Sequence, residues 1–509
     1  MSAVRDESTV DRRWLVLAVV AVAQLMVVLD GTIVNIALPS AQHALGFSDS
    51  DRQWVVTAYA LSFGSLLLVG GRLGDMFSRK WVFVVGLAGF AVASAIGGAA
   101  GSFAVLVTAR ALQGVFGAVL APAALGTLVS AFQDPRERAR AFGVFGSVAA
   151  GGSAVGLILG GVLTQYLSWR WCLYINLVFA AIAVAGALVF LRGGRAASRP
   201  RMDWPGAVLA CAGLFAIVFG FSRAEASGWT AALTLGSLAG GLVLLAGFVL
   251  AERRVRHPLL PLRVVLDRGR GGAYVALGIS GIAIFGTFLF LTFYLQVVKG
   301  ESPLATGLLF LPMTACILIS SNSTGAVSLG PRALIALGML LGAVGMALLT
   351  QVSVSSGYVG GVLPALLILG LGLGLIFAQT ISAATAGLAP EDSGVASALV
   401  NTMQQIGGSV GTSALSTIAL SATAAYLADH PGGPQAAPIA ATHGYTVAFG
   451  VSAGLLGLGF VLALALLPSR RRTEPETVDA PTPAPEAIPV ALCSCSPVIS
   501  TTAPPDGDG

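Results

Sequence analysis

Two ionisable residues stand where ionisable residues are costly. Asp30 is the only carboxylate well inside a long apolar run, and Arg110 is the only base so placed. An ionised carboxylate away from water is expensive unless paired, so such a group is suited to cycle between a protonated and a charged form. Arg110 would bias that cycle, directly or through water, because a neighbouring opposite charge favours the ionised carboxylate. The chemistry expected is proton binding or cation pairing, with no covalent step. The structural alternatives are an Asp30 that snorkels to a rim and an Arg110 that pairs only with backbone carbonyls.

Other chemistries lack their residues. The two lysines are Lys80 and Lys299, and neither follows a glycine, so no phosphate-binding GK[ST] loop exists and ATP is not the drive. The Gly370, Gly372 and Gly374 row lies in an apolar run without the strand that a dinucleotide site needs. Four histidines are too dispersed for a metal site. No enzyme and no cofactor is expected.

The elements that must position Asp30 and Arg110 follow from composition. Of 509 residues, 56% are hydrophobic and 10% charged, and the mean hydropathy is +0.86. The apolar runs are about 20 residues long, enough to cross a hydrocarbon core of ~30 Å, and in lipid such runs must be helices. The spans predicted are 14–38, 53–74, 81–100, 104–130, 140–164, 171–191, 204–222, 230–250, 272–297, 304–328, 333–351, 358–386, 394–424 and 444–467. The fold class is an all-α membrane protein of fourteen transmembrane helices.

Basic residues check that count. With the first residues inside, one side holds only Arg52, Arg170, Arg223 and Lys299, and Arg110 lies within a span. The other 23 of the 28 Lys and Arg fall in alternate loops, as the excess of positive charge on cytoplasmic loops requires. The expectation is a multi-pass protein of the cell (inner) membrane with both ends cytoplasmic. The net charge of +5 reflects this distribution and not a nucleic-acid surface. Cys172, Cys211 and Cys316 read as small apolar residues in spans; Cys493 and Cys495 lie in a proline-containing tail expected to be disordered.

An internal repeat organises the spans. Pro135 precedes Gly152 and Gly156 by 17 and 21 residues, and Pro390 precedes Gly407 and Gly411 by the same offsets. Arg79 and Gly86 are echoed by Pro331 and Gly338. The first six spans are thus repeated by the last six. The boundaries expected are a cytoplasmic segment 1–13, a six-helix bundle 14–191, two inserted helices with basic flanks 192–271, a second six-helix bundle 272–467 and a tail 468–509. Two similar bundles around a midplane cavity are the architecture of a rocking transporter.

Several stretches carry a family resemblance. Leu29-Asp30-Gly31-Thr32-Ile33-Val34-Asn35-Ile36-Ala37-Leu38-Pro39 resembles the first-helix signature of the fourteen-span drug:proton antiporters of the major facilitator superfamily. Gly71-Arg72-Leu73-Gly74-Asp75-Met76-Phe77-Ser78-Arg79-Lys80 resembles the superfamily's motif between spans two and three, with Ser78 where glycine is usual. Arg110, Gln113, Gly114 and Gly117 are similar to its fourth-span motif. Gly152, Gly156, Gly160 and Gly161 are similar to its fifth-span antiporter motif, with Leu157 where proline is usual. Trp169-Arg170-Trp171 with Asn176, and Tyr294-Leu295-Gln296 followed by Gly300, Ser302 and Pro303, extend the likeness over 14–467.

The resemblance implies the major-facilitator fold and proton-coupled efflux of small lipophilic or cationic drugs or antibiotics by alternating-access antiport. A proton symporter or uniporter of a small nutrient is the alternative, and a non-transporting sensor the third reading. The partners implied are a small-molecule substrate, protons and the bilayer. Asp30 and Arg110 would couple protons, and Asp75, Arg79 and Lys80 would latch one conformation. The fifth-span glycines would admit a neighbouring helix closely. Candidate cavity residues are Asn35, Tyr59, Gln113, Gln296, Gln379, Asn401 and Gln405; an interhelical hydrogen bond is the plainer role for each.

Overall fold

A computed structural model describes residues 7–468 apart from 133, 192–202, 256–258, 261, 325–328, 386–389 and 431–434. The apolar runs are helices, as the cost of unpaired backbone in lipid demands. The first bundle is α1 (Glu7–Leu45), α2 (Arg52–Met76), α3 (Arg79–Gly98), α4 (Phe103–Ala131), α5 (Pro135–Tyr166) and α6 (Trp171–Phe190). A hairpin of α7 (Trp204–Ser227) and α8 (Ala232–Glu252) follows, then a one-turn α9 (Leu262–Val265). The second bundle is α10 (Arg268–Phe293), α11 (Pro303–Ser323), α12 (Pro331–Leu349), α13 (Leu363–Thr385), α14 (Pro390–Asp429) and α15 (Ala436–Leu466). Among the described residues, 13 helices are long and apolar enough to cross a membrane. With α2, 25 residues long and packed between α4 and α14, the count reaches the expected fourteen. The outward surface keeps large apolar side chains such as Val92, Leu242 and Val243 exposed, which suits contact with lipid.

Several helices outrun their apolar spans. α1 is 39 residues long and continues through Pro39, and α14 is 40 residues long. Hydropathy marks the part of a helix in hydrocarbon, whereas the helix itself continues through the interface.

The repeat is visible in how helices meet. α5 lies along α1, where Gly152 faces Leu25 and Val28 and Gly160 faces Ile33. α14 lies along α10 in the same way, where Gly407 meets Gly278 and Gly411 meets Ile282. Gly86 of α3 meets Leu120 of α4, and Gly338 of α12 meets Gly372 and Ile376 of α13. These glycines are needed because a Cβ at each would press on the neighbouring helix.

One end of the molecule is basic, and its charges are used. Lys80 Nζ donates to Leu188 O at 2.8 Å, and Arg12 Nε donates to Phe190 O at 3.3 Å. Cations therefore cover the last carbonyls of α6, where the helix dipole is negative. Arg332, at the start of α12, does the same for Leu464 of α15. An Arg13–Glu137 ion pair of 2.6 Å ties the start of α1 to that of α5.

The two bundles meet along two seams, α2 against α14 and α5 against α11. The α7–α8 hairpin lies outside the first seam, with α7 against both α2 and α14.

Candidate functional site

Asp30 and Arg110 form an ion pair. Arg110 Nη1 donates to Asp30 Oδ2 at 2.6 Å, and the side chains are 2% and 0% exposed for Arg110 and Asp30 respectively. Asp30 Oδ1 accepts two more bonds, from Gln113 Nε2 at 2.9 Å and from Asn176 Nδ2 at 2.7 Å. The carboxylate is thus held by α4 and α6 while belonging to α1. Ser94 of α3 stands behind the amides, accepting from Gln113 at 2.7 Å and from Asn176 at 3.3 Å. A buried charge is tolerated when paired and hydrogen-bonded, and three donors meet that condition here.

Arg110 has its own supports. Its Nε donates to Val55 O of α2 at 3.1 Å, Nη1 donates to Gln113 Oε1 at 2.8 Å, and the guanidinium lies 4.4 Å from the centre of the Tyr59 ring. The planar fork reaches a carbonyl, an amide and a carboxylate at once, which an ammonium cannot do. One buried acceptor in the cluster, Asn176 Oδ1, has no partner. A narrow apolar crevice lined by Val34, Leu38, Leu106, Trp169 and Leu173 ends on Arg110. Asp30 is 0% exposed, and Arg110 binds a carboxylate as well as a carbonyl.

The other candidates divide. Gln113 and Tyr59 belong to this cluster. Asn35 is buried and bonds its own helix, donating to Gly31 O at 2.9 Å. Gln296 Nε2 reaches across the bundles to Ile36 O at 3.0 Å. Gln379 and Gln405 are half-buried and Asn401 is exposed, so the list is not one site. Arg79 donates to Gly126 O at 3.3 Å and Lys80 to Leu188 O, both within the first bundle. The Asp75 side chain lies outside the described residues, as do Cys493 and Cys495.

The end opposite the basic one is closed by contacts between bundles. Arg52 of α2 is 2% exposed; its guanidinium lies 4.2 Å from the Phe293 ring centre, and Nη1 donates to Tyr445 Oη at 3.4 Å. Gln165 Oε1 of α5 accepts from the Leu304 amide of α11 at 3.3 Å. There a Cβ on Gly161 would lie 2.6 Å from Leu304 Cα, so glycine lets the two backbones touch. The sequence reading made Arg110 the only buried base; Arg52 is a second, missed because the basic-residue rule assigns sides and not depth. Its signal was an arginine on the side where arginines are scarce.

A family model decides what this arrangement belongs to. The model described as Major Facilitator Superfamily matches residues 20–412, which include the whole Asp30 cluster. The chain belongs to the major facilitator superfamily. It is a multi-pass membrane transporter and not an enzyme. A puromycin resistance protein of Streptomyces alboniger is 49% identical over 92% of this chain and 93% of its own length. A cephamycin export protein of Amycolatopsis lactamdurans is 38% identical over 82% of the chain and 87% of its own. Among solved structures, an auto-inhibited peptide transporter of the POT family has a TM-score of 0.66 at 16% identity, covering 92% and 99% of the two chains. That likeness concerns the fold.

The superfamily resemblances acquire physical content from the geometry. Ser78 precedes α3 at φ −63°, a conformation any residue adopts, so the loop motif keeps its turn without glycine. Arg170 of the Trp169-Arg170-Trp171 stretch donates to Gly98 O and Ala100 O at 3.0 and 2.5 Å, closing the end of α3, while Asn176 reaches Asp30. Gly300, at φ 73°, turns the chain after a π-turn at Tyr294–Val298, and Ser302 then caps α11 by accepting from Ala305 N. Leu157 leaves α5 helical from Pro135 to Tyr166, and its carbonyl abuts Gly307 of α11.

Proposed function

We propose that this transporter exports antibiotic-like small molecules from the cytoplasm in exchange for protons, with Asp30 as the proton carrier. The observation that carries this reading is the buried Asp30 with three donors, one of them Arg110, in the first bundle. The resistance and export functions named for its relatives support the substrate class.

Ionised Asp30 holds α1, α4 and α6 together through Arg110, Gln113 and Asn176. A proton on Asp30 removes the charge that these donors serve and loosens the three-helix junction. The orphan Asn176 Oδ1 gives the new O–H an acceptor once the amide turns over. Junction strength then differs between protonation states, as alternating access requires. Closure opposite the basic end leaves the substrate to enter from the basic, cytoplasmic side. Opening of Arg52, Gln165 and Gln296 from their partners then releases it outside.

The drive suffices. One charge moved through ~100 mV yields about 2.3 kcal/mol, and one pH unit adds about 1.4. One proton exchanged for a neutral molecule then sustains a gradient on the order of several hundred-fold. A monovalent cation leaves only the pH term, roughly tenfold.

The test is puromycin accumulation in energised cells expressing wild type or Asp30→Asn, with and without a protonophore. Wild type should lower accumulation, the protonophore should restore it, and Asp30→Asn should fail while present in the membrane. Raised uptake by wild type would replace export with import.

A further inference from the structure

Buried polar groups without partners are uncommon, because each costs about 1–3 kcal/mol unless water or a ligand satisfies it. Among the described residues, eight of the thirteen side chains with such a group lie on α2 and α14, Arg52 among them. Gln53 of α2 is 0% exposed, and neither its Nε2 nor its Oε1 has a partner. Thr57, one turn on, has an unpartnered hydroxyl, as do Thr402, Ser409, Thr412, Ser413 and Ser416 of α14.

Helical spacing puts them face to face. Gly64 of α2 meets Gln405 and Ile406 of α14. Thr57 and Gln53 lie seven and eleven residues before Gly64, on the same face. On α14, Thr402, Ser409, Thr412 and Ser416 share the face of Gln405 at helical spacing. The helices are antiparallel, so stepping equal distances from the Gly64–Gln405 contact brings Thr57 level with Thr412 and Gln53 level with Ser416. Val55, on the opposite face of α2, accepts from Arg110, so the polar stretch lies at the depth of the ion pair.

Lipid does not reach this seam. Leu214 and Val218 of α7 pack over Trp54 and Leu61 of α2 and over Ile406 and Val410 of α14. Thr417 Oγ1 donates to Phe221 O at 2.9 Å, fixing α7 to α14. The inserted hairpin thus covers the seam on that side.

We propose that the α2–α14 seam, Gln53 and Thr57 facing Ser409, Thr412 and Ser416 beneath the α7 sheath, binds the neutral hydrogen-bonding portion of an amphiphilic substrate. This rests on the export reading and assigns part of the substrate's chemistry. Amide and hydroxyl groups both donate and accept, so amides and sugar hydroxyls fit them; Arg52, next to Gln53, is charged but lies against the Phe293 ring. The seam contains groups that favour a bound polar ligand over the empty closed state, which a purely structural interface would avoid.

The test uses proteoliposomes holding wild type, Gln53→Leu, or the double variant Thr412→Val with Ser416→Ala. Apparent affinities are measured for puromycin, which carries an amide and ribose hydroxyls, and for tetraphenylphosphonium, which has no hydrogen-bonding group. Loss of about two neutral hydrogen bonds predicts a roughly tenfold fall in the puromycin-to-tetraphenylphosphonium affinity ratio in either variant. Both variants should melt at or above the wild-type temperature, since apolar groups replace unpartnered polar ones. An unchanged ratio, or equal losses for both compounds, overturns the seam assignment while leaving export intact. A wild type that moves neither compound overturns the export reading and the seam assignment with it.

Discussion

Gln113 is bonded to both members of the buried ion pair: its Nε2 donates to Asp30 Oδ1 at 2.9 Å and its Oε1 accepts from Arg110 Nη1 at 2.8 Å. One amide therefore fixes the relative placement of two charges on different helices. Gln113→Leu takes a donor from the carboxylate and an acceptor from the guanidinium. Bonds to charged groups are worth about 1.5–3 kcal/mol each, so a stability loss of about 3–6 kcal/mol is expected for the two. The thermal melt of the purified protein should drop clearly, and puromycin turnover should fall at least tenfold; an unaltered melt would mean that the bridge contributes nothing.

Arg110 should not tolerate lysine. Lys at 110 keeps the charge but cannot serve Val55 O, Gln113 Oε1 and Asp30 Oδ2 together, so Arg110→Lys should reach the membrane and transport poorly. Arg110→Leu, which strands a buried carboxylate, should cost about 3–5 kcal/mol. Adding Asp30→Leu should recover much of that stability without recovering transport. Melting curves of the two single variants and the double variant check this, and a double variant less stable than either single one would refute it.

Glycine substitutions separate contact from motif. A Cβ on Gly407 would run into the Gly278 carbonyl oxygen, and one on Gly70 into that of Ala118, both backbone atoms of neighbouring helices. Gly407→Ala and Gly70→Ala should each destabilise by about 1–3 kcal/mol. Gly31, inside the first-helix signature, has nothing within 4 Å of its Cβ position, and Gly31→Ala should fold normally. Size-exclusion profiles of the three variants decide it: an aggregated Gly31→Ala with a wild-type-like Gly407→Ala would reverse the ranking.

Closure opposite the basic end can be followed through Cys172, which is buried beside the crevice that ends on Arg110. With Cys211, Cys316, Cys493 and Cys495 replaced by serine, an impermeant maleimide should label Cys172 slowly from outside. Gly161→Leu, which pushes against Leu304, should speed labelling at least several-fold, as should loss of Arg52 from its aromatic partners in Arg52→Ala. Equal rates in all three would mean that these contacts do not shut that end.

Much of this architecture was legible because the bilayer makes few exceptions. Apolar run length gave the helices, the repeat matched α5 with α14 without naming their partners α1 and α10, and two lone charges in apolar runs pointed to Asp30 and Arg110. The residues that complete their cluster were harder to find. Asn176 belonged to a resemblance but lies 146 residues from Asp30, and Ser94 is a helical serine like many others. Arg52 looked like a loop residue because its depth depends on Phe293 and Tyr445 of the other bundle. Gln53 and the α14 hydroxyls depend on helix register, which hydropathy does not encode. Asn35 and Asn401 were chosen by residue type alone, and the structure puts one on its own helix and the other at the surface.

The most direct test of proton carriage by Asp30 is puromycin-driven proton movement in sealed proteoliposomes containing a pH-sensitive dye. An imposed puromycin gradient should drive protons the opposite way through wild type. Through Asp30→Asn, reconstituted to equal density and monodisperse before reconstitution, it should drive none. Proton movement at the wild-type rate in Asp30→Asn would contradict the account, because the buried carboxylate would then not carry the proton.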